Sequence, residues 1–311
     1  MEIDVIIPLY KPGKELFTLL DKLGSQSVPV HQVILLNTEE KYFDQLIYGI
    51  RFLETYQNIK VYHVSKREFD HGGTRRMGVK KSSADVFVMM TQDAMPKDDR
   101  LIEKLVEPLQ GEVAVAYARQ LPREDSTPVE SYTREFNYPA KSRIKSAADL
   151  DSLGIKTFFC SNVCAAYRRE IYEELGGFVR HTIFNEDMIY AAKAVEAGYS
   201  VAYAADAQVV HSHNYTNGQQ FHRNFDLGVS QAEHPEIFAA YPSESEGKRM
   251  VKDVTVYLRS NHMSAGLPHY MQCACKYAGY LLGKNYRRLP KKWVLAFTSN
   301  KEYWKQNRKD V

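Results

Sequence analysis

The chain opens with an apolar run that ends in a turn, Ile3-Asp4-Val5-Ile6-Ile7-Pro8-Leu9-Tyr10-Lys11-Pro12-Gly13. Most of its first seven residues are aliphatic, which is typical of a β-strand buried on both faces. The Pro and Gly residues that follow predict a turn. Leucines at helical spacing then predict a helix over residues 14–27. A buried strand followed by an amphipathic helix is the repeating unit of an α/β fold.

The same unit recurs through the first 120 residues. Further strands are predicted at 32–36, 59–64, 86–91 and 113–118, and helices at 42–56, 73–82 and 100–109. Strands separated by helical crossovers predict a mainly parallel sheet with helices on both faces. Ligands bind such sheets at the carboxyl ends of the strands. The residues that follow each predicted strand are therefore the candidate site residues.

The alternation of predicted strands and helices ends after residue 120. Residues 120–156 are polar and Pro-containing, which predicts an irregular functional loop or lid. Beyond this loop we predict strands at 157–167, 200–204 and 208–213, and helices at 168–175 and 187–197. From residue 217 the pattern is largely helical. We therefore predict an α/β domain over 1–216 and a mostly helical, basic region over 217–311.

Charge is unevenly distributed along the 311 residues. The whole chain carries +3, but the segment from Gly247 onward holds fourteen Lys and Arg against three Asp and Glu. That segment is therefore +11 and the remainder −8, an asymmetry that calls for a partner or a surface. Aromatic side chains among these cations, such as Trp293 and Trp304, indicate an interfacial segment near anionic lipid. A solvated helical bundle or a homodimer surface is the alternative.

Targeting signals are not recognised in the sequence. There is no charged-then-apolar leader and no apolar run near the ~20 residues that span a bilayer. We therefore predict a cytoplasmic protein, at the inner face of the plasma membrane if the basic segment binds lipid. The four cysteines are then expected to be reduced, and their C-x3-C and C-x-C spacing does not favour a zinc site.

Three acidic residues stand at informative places. Asp93, in Thr91-Gln92-Asp93-Ala94, closes an apolar strand, where a carboxylate can hold a hard divalent cation beside a diphosphate. A turn or helix-cap role is the alternative. Glu186 and Asp187 precede a predicted helix, where they act either as helix caps or as a general base for an acceptor hydroxyl.

Two further segments contain groups that bind phosphate or metal. In Phe69-Asp70-His71-Gly72-Gly73-Thr74-Arg75-Arg76, a Gly pair and two Arg precede a short helix, a combination that suits a phosphate. In Val209-Val210-His211-Ser212-His213, strand alternation places both His on one face. Neutral imidazoles are common metal ligands, although isolated His residues are more often structural. No Walker, G-x-G-x-x-G, G-x-S-x-G or H-E-x-x-H pattern is found.

Taken together, these segments resemble the family-2 inverting glycosyltransferases of the GT-A fold. The resemblance covers residues 3–215 and includes the opening strand, the Asp motif, the Glu-Asp pair and the later His, in that order. It implies a Rossmann-like, mainly parallel sheet followed by a helical C-terminal region. Residues 69–75 with 91–94 are similar to the rhamnosyltransferase branch. That branch uses dTDP-L-rhamnose to build cell-surface polysaccharides such as cell wall and O-antigen.

The resemblance implies roles for residues at the strand ends. Three would line the nucleotide pocket: Pro8, Tyr10 and Asn37. Three would contact the donor phosphates or sugar: His71, Arg75 and Gln92. The usual Asp-x-Asp is reduced here to Gln92-Asp93-Ala94, which leaves one carboxylate, and Asn37 stands where many relatives carry Asp.

The resemblance also implies a metal site and a catalytic base. Asp93 would bind the donor through Mg²⁺ or Mn²⁺, with His213, or else His211, as a second ligand. Asp187 would be the base and Glu186 would hold the acceptor, a glycan or a lipid-linked glycan. A UDP- or GDP-sugar donor, a nucleotidyltransferase, or a binding protein that uses the basic region are the alternatives.

Overall fold

The computed structural model describes residues 1–242, 244–261 and 267–305. In this part of the chain nine strands join in one sheet. The strands are β1 (Ile3–Tyr10), β2 (Gln32–Thr38), β3 (Ile59–Val64), β4 (Val86–Met90), β5 (Met95–Pro96), β6 (Val113–Leu121), β7 (Arg143–Lys145), β8 (Cys164–Arg168) and β9 (Ser200–Val210).

Helices lie between the strands and after the sheet. They are α1 (Glu15–Gly24), α2 (Glu40–Ile47), α3 (Phe52–Thr55), α4 (His71–Lys81), α5 (Leu101–Val106), α6 (Pro128–Asn137), α7 (Leu150–Leu153), α8 (Arg169–Glu174), α9 (Glu186–Glu196), α10 (Asn217–Glu233), α11 (Pro235–Phe238), α12 (Glu244–Ser260), α13 (Leu267–Lys284) and α14 (Lys291–Phe297). The helical C-terminal region is thus observed as predicted.

The opening strand β1 lies inside the sheet, between β2 and β4. Its alternate residues Ile3, Val5 and Ile7 pack in the core cluster that contains the buried leucines of α1. Ile6 points to the opposite face and packs with Val79 of α4. Helices therefore cover both faces of the sheet, as its aliphatic sequence predicted.

Strand direction divides the sheet in two. β3, β2, β1 and β4 are mutually parallel, as predicted. The rest is mixed: β8 is antiparallel to both β4 and β6, β9 is parallel to β6, and β5 and β7 are antiparallel to β9. The chain leaves β6 at the edge of the sheet where the parallel strands end, and it enters β8 from that same edge. As a result, the carboxyl ends of six strands, β1, β2, β3, β4, β6 and β9, share one edge with the amino end of β8.

Several predicted boundaries differ from those observed. The helix predicted over 42–56 is two helices, α2 and α3, separated by Gly49 at φ 75°. The loop predicted over 120–156 contains α6 and β7, and the strand predicted from residue 157 begins only at Cys164. The two strands predicted after residue 200 are one, β9. Element boundaries are the part of a fold that periodicity predicts least well.

The C-terminal helices pack tightly on one another. A Cβ placed on Gly279 or Gly283 of α13 would lie 2.3 or 2.1 Å from a carbonyl oxygen of α10, so glycine permits this close approach. The cluster these helices form also includes Ile183 from the segment before α9. The predicted division at residues 216/217 falls between β9 and α10 and stays a prediction. No helix in the described ranges is long and apolar enough to cross a bilayer.

Candidate active site

The site lies at the edge where β1, β2, β4, β6 and β9 end. Asp93 stands in a turn after β4, closed by a hydrogen bond from the Ala94 amide to the Thr91 carbonyl oxygen. The short strand β5 then pairs with the end of β9, matching Met95 with Val210. This pairing places Asp93 beside the residues that follow β9.

Asp93, His211 and His213 converge on one point. Asp93 Oδ2 lies 3.1 Å from His213 Nε2 and 3.5 Å from His211 Nε2, and the two Nε2 atoms are 3.1 Å apart. One potential ligand atom from each side chain lies within 4.8 Å of the others. β9 ends at Val210, so His211 and His213 lie beyond the strand that was predicted to carry them, and both approach Asp93.

The tautomer of His211 is set by Gln120. The Gln120 Oε1 atom accepts a hydrogen bond from Arg134, which can only donate, so the amide orientation is determined. His211 Nδ1, 3.0 Å from the same oxygen, must therefore carry the proton. An unprotonated Nε2 then faces the carboxylate of Asp93. Two lone pairs opposed in this way repel one another unless a cation lies between them.

The protonation states also suit a cation. Burial disfavours ionised Asp93, but the polar groups around it outweigh burial and hold the pKa of Asp93 well below its usual range. Burial lowers the pKa of His211, which keeps that imidazole neutral despite the nearby carboxylate. One carboxylate and two imidazoles form a donor set that fits a divalent cation such as Mn²⁺ or Zn²⁺. The group is a candidate metal site.

The second acidic group is held by an unusual turn and by a buried ion pair. Asn185 adopts a left-handed conformation (φ 64°) immediately before α9. This places Glu186, which is 5% exposed, against Arg75 of α4, with Oε1 to Nε at 3.3 Å. Burial would raise the pKa of Glu186, but the Arg75 charge and a hydrogen bond from Asn162 lower it. Glu186 is therefore ionised in its buried position.

Asp187 has the opposite electrostatic surroundings. Burial and the Glu186 charge raise its pKa to about 7, although two backbone amides oppose the shift. Those amides belong to Asn162 and Met188 and donate at 2.9 and 2.8 Å. Asp187 is also only half-buried, whereas Glu186 is enclosed. A partly accessible carboxylate with a pKa near neutrality suits proton transfer to and from a ligand.

Asn162 connects the two acidic residues. Its side-chain nitrogen donates to Glu186 Oε1 at 3.0 Å, and its backbone amide donates to Asp187. Its side-chain oxygen accepts from Tyr167 at 2.7 Å, so the buried amide is satisfied. The neighbouring Ser161 accepts from Gln120 at 3.0 Å. A continuous path, His211–Gln120–Ser161-Asn162–Asp187, therefore joins the metal group to the acidic pair.

The residues predicted for the nucleotide pocket lie at adjacent strand ends. Leu9 pairs with Asn37 across β1 and β2, and Tyr10 is 41% exposed beside Pro8. The Gln92 side chain bonds the backbone of Tyr10 in both directions, accepting at 2.9 Å and donating at 3.2 Å. Gln92 thus ties the end of β1 to the Asp93 turn. Asn37 is fully buried, and its Oδ1 has no hydrogen-bond partner.

The Gly pair has a packing role in the structure. α4 begins at His71, so Gly72 and Gly73 lie inside its first turn. A Cβ on Gly72 would lie 2.0 Å from the Val179 carbonyl oxygen, and the Gly73 amide already donates to Asp70. The phosphate cradle predicted for this pair is therefore replaced by close packing against the loop before α9. That packing brings Arg75 to Glu186.

Comparison with known proteins identifies the family. The model for glycosyl transferase family 2 matches residues 4–176, more than half of the chain. This chain belongs to glycosyl transferase family 2. Membership confirms the family expected from the sequence, and the chain is a glycosyltransferase.

Two curated relatives of this family-2 enzyme match nearly its full length. The O-antigen chain rhamnosyltransferase RfbN of Salmonella typhimurium is 40% identical over 98% of this chain and 96% of its own. The O-antigen chain rhamnosyltransferase WbaN of Salmonella anatum is 37% identical over 96% and 95%. A solved structure, the mannosyltransferase PcManGT of Pyrobaculum calidifontis with GDP-Man and Mn²⁺, covers 97% of this chain and 84% of its own. It has a TM-score of 0.58 at 16% identity, which shows the GT-A fold.

The structure of this glycosyltransferase brings the predicted residues to one sheet edge. The individual roles stay predictions. Arg75, expected to contact the donor, reaches Glu186 and the His71 carbonyl oxygen, the latter at 3.1 Å. Asn162 and Gln120, which organise the site, were not predicted. Gln120 is a polar residue near the end of the apolar strand β6, and Asn162 precedes the apolar strand β8 by two residues; this polarity was the one signal that could have drawn attention to them.

Proposed function

We propose that this glycosyltransferase moves L-rhamnose from dTDP-L-rhamnose to a glycan, free or lipid-linked, in cell-surface polysaccharide synthesis. The main observation behind this proposal is the path of hydrogen bonds and one peptide link from His211 to Asp187. It links a candidate cation-binding group to a carboxylate of raised pKa within one site. The rhamnose assignment is supported by the names of two relatives that match almost the whole chain.

Asp187 would accept the proton of the attacking hydroxyl. The bond from the acceptor oxygen to the anomeric carbon forms as the bond from that carbon to the nucleotide phosphate breaks, which inverts the centre. Glu186, kept ionised by Arg75, would hold a neighbouring hydroxyl of the acceptor. No nucleophile from the chain is required, since the transfer is a direct displacement.

Asp93 and His213 would hold Mg²⁺ or Mn²⁺, with His211 as a third ligand, and Asp93 would thereby bind the donor. Such a cation neutralises charge on the diphosphate and on the departing nucleotide. Tyr10, Pro8 and Asn37 would line the nucleotide pocket. Three more residues would contact the donor phosphates or sugar: His71, Arg75 and Gln92.

A donor screen tests this proposal. Purified protein is titrated with dTDP-rhamnose, UDP-glucose and GDP-mannose, with and without Mn²⁺, beside Asp93→Ala and Asp187→Ala. We expect metal-dependent binding of dTDP-rhamnose that is lost in Asp93→Ala and kept in Asp187→Ala, whose sugar transfer is abolished. Preference for a UDP- or GDP-sugar would contradict the rhamnose assignment, and absence of nucleotide-sugar binding would contradict the site itself.

We also propose that the C-terminal region contacts the inner face of the plasma membrane. Three apolar side chains on α13 are well exposed: Met271 at 48%, Tyr277 at 55% and Leu281 at 41%. Their spacing places them along one side of the helix. Exposed Lys291 and Lys292 follow, with Trp293 half exposed. An apolar stripe bordered by cations and Trp suits an anionic lipid surface.

Vesicle sedimentation tests the membrane contact. Binding to phosphatidylglycerol vesicles should exceed binding to phosphatidylcholine vesicles and should weaken with salt. Tyr277→Glu should abolish it, whereas Leu53→Glu, at an apolar residue of α3 that is at least as exposed, should not. If the wild-type protein does not bind vesicles but forms a dimer that Tyr277→Glu disrupts, the stripe is instead a homodimer surface.

A further inference from the structure

Arg223 of α10 stands between the metal group and the acidic pair. Its guanidinium carbon lies 4.6 Å from the ring centre of Phe184 and 5.7 Å from that of Tyr215. Tyr215 stacks on His213 with ring centres 4.8 Å apart. Phe184 is two residues before Glu186 in the chain. The two rings therefore orient one cation toward both halves of the site.

The Arg223 charge has no acidic partner. Its side chain is exposed, and within residues 1–242, 244–261 and 267–305 no carboxylate forms an ion pair with it. The two ring contacts limit the freedom of the Arg223 side chain, so its guanidinium is held in one region before any ligand arrives. The exposed guanidinium keeps its five donors for a ligand.

A second cation, Lys276 of α13, also forms no ion pair within the part of the chain that the structure describes. Lys276 is half-buried, and burial lowers its pKa. α13 packs closely on α10 here, because a Cβ on Gly279, one turn after Lys276, would lie 2.3 Å from the carbonyl oxygen of Phe221, two residues before Arg223. The Glu130 carboxylate also acts on the pKa of Lys276. Glu130 is already bound by Arg134 at 2.7 Å. Lys276 and Arg223 therefore lie on adjoining turns of α13 and α10, and among the described residues no carboxylate forms an ion pair with either side chain.

We propose that Arg223 and Lys276 form a diphosphate-binding subsite contributed by the C-terminal region. This inference rests on the proposed function. The metal group has one carboxylate, so a bound diphosphate and its growing charge need further cations, and a guanidinium matches phosphate oxygens in bidentate geometry. The diphosphate belongs either to the nucleotide donor or to a lipid-linked acceptor, whose chemistry at this subsite is the same.

Inorganic pyrophosphate is the first probe, measured by calorimetry without added divalent cation. Arg223→Gln and Lys276→Gln should each weaken its binding about 10-fold, the loss expected for a charge-assisted hydrogen bond. Arg223→Lys should recover part of the affinity, because it keeps the positive charge but loses the planar group that binds phosphate in bidentate geometry. Lys248→Gln, at an exposed cation of α12, should leave the affinity unchanged. Binding that is absent from the wild-type protein, or is equal in Arg223→Gln, overturns the subsite.

Two further measurements identify the source of the diphosphate. If it is the donor's, Arg223→Gln weakens dTDP binding and lowers kcat while the KM for acceptor stays constant. If it is the acceptor's, dTDP binding is unchanged, and the KM rises for a polyprenyl-diphosphate glycan but not for the same glycan on an alkyl chain. Either result supports the subsite. If dTDP-rhamnose does not bind, but pyrophosphate still binds in a way that depends on Arg223, only the proposed donor is overturned.

Discussion

Replacing Glu186 by Gln should move the acidic side of the pH–rate profile of sugar transfer to lower pH by about one unit. Asp187 must be ionised to accept a proton, and its pKa is raised to about 7 by burial and by the Glu186 charge. Activity should therefore fall as the pH drops through about 7 in the wild-type enzyme. Removing the Glu186 charge makes Asp187 easier to ionise, so activity should persist to lower pH.

The magnitude follows from the charges around Asp187. Two unit charges about 5 Å apart interact by about 3 kcal/mol at an effective dielectric constant near 20. Arg75, 3.3 Å from Glu186, cancels part of this repulsion in the wild-type enzyme. If roughly half of the repulsion remains, about 1.4 kcal/mol, removing it lowers the pKa of Asp187 by about one unit. Gln is isosteric with Glu and can still accept the hydrogen bond from Asn162, so the geometry should be kept.

The assay is kcat/KM for the acceptor between about pH 5 and 9, at saturating donor and divalent cation. Saturating cation keeps the histidines of the metal group from contributing to the profile. Glu196→Gln, an exposed carboxylate at the far end of the same helix, is the matched control and should not shift the profile. Asp187→Asn should lose about 10²- to 10⁴-fold in rate. A profile that stays in place in Glu186→Gln, or moves to higher pH, would refute the reasoning.

Two further substitutions test the metal group and the helix packing. Gln120→Leu removes the acceptor that sets the His211 tautomer and should weaken Mn²⁺ binding about 10- to 100-fold, measured by EPR titration; an unchanged affinity would contradict the tautomer argument. Gly283→Ala places a Cβ 2.1 Å from the Phe225 carbonyl oxygen and should lower the free energy of unfolding by about 1–3 kcal/mol in urea denaturation. Gly247→Ala, which meets open space, is the control, and equal losses in both would show that the close packing is unimportant.

Much of the fold follows from local pattern. The aliphatic run of β1 is buried on both faces because its residues leave no polar side to face water, and the leucines of α1 lie where helical spacing put them. Asp93 was found because a carboxylate closes a wholly apolar strand. Such features depend on neighbours within one turn or one strand, so the sequence displays them directly.

The metal group was accessible from the sequence only in part. Two His at alternate positions after a strand indicated a shared face, but their approach to Asp93 requires β5 to pair with the end of β9. β5 has two residues, too few to produce any periodicity. The sequence therefore named the three ligand candidates and left open which His would join Asp93, whereas the structure brings both to it.

By itself the sequence determined a buried strand-and-helix core, the acidic and His motifs, and the family. Only the tertiary structure decided the direction of β8, and with it the arrival of Asn162 between Glu186 and Asp187. Only it joined Gln120 to His211, which are 91 residues apart. The physical reason is that backbone periodicity records which side of an element is buried, whereas hydrogen bonds between distant polar groups leave no repeating trace in the chain.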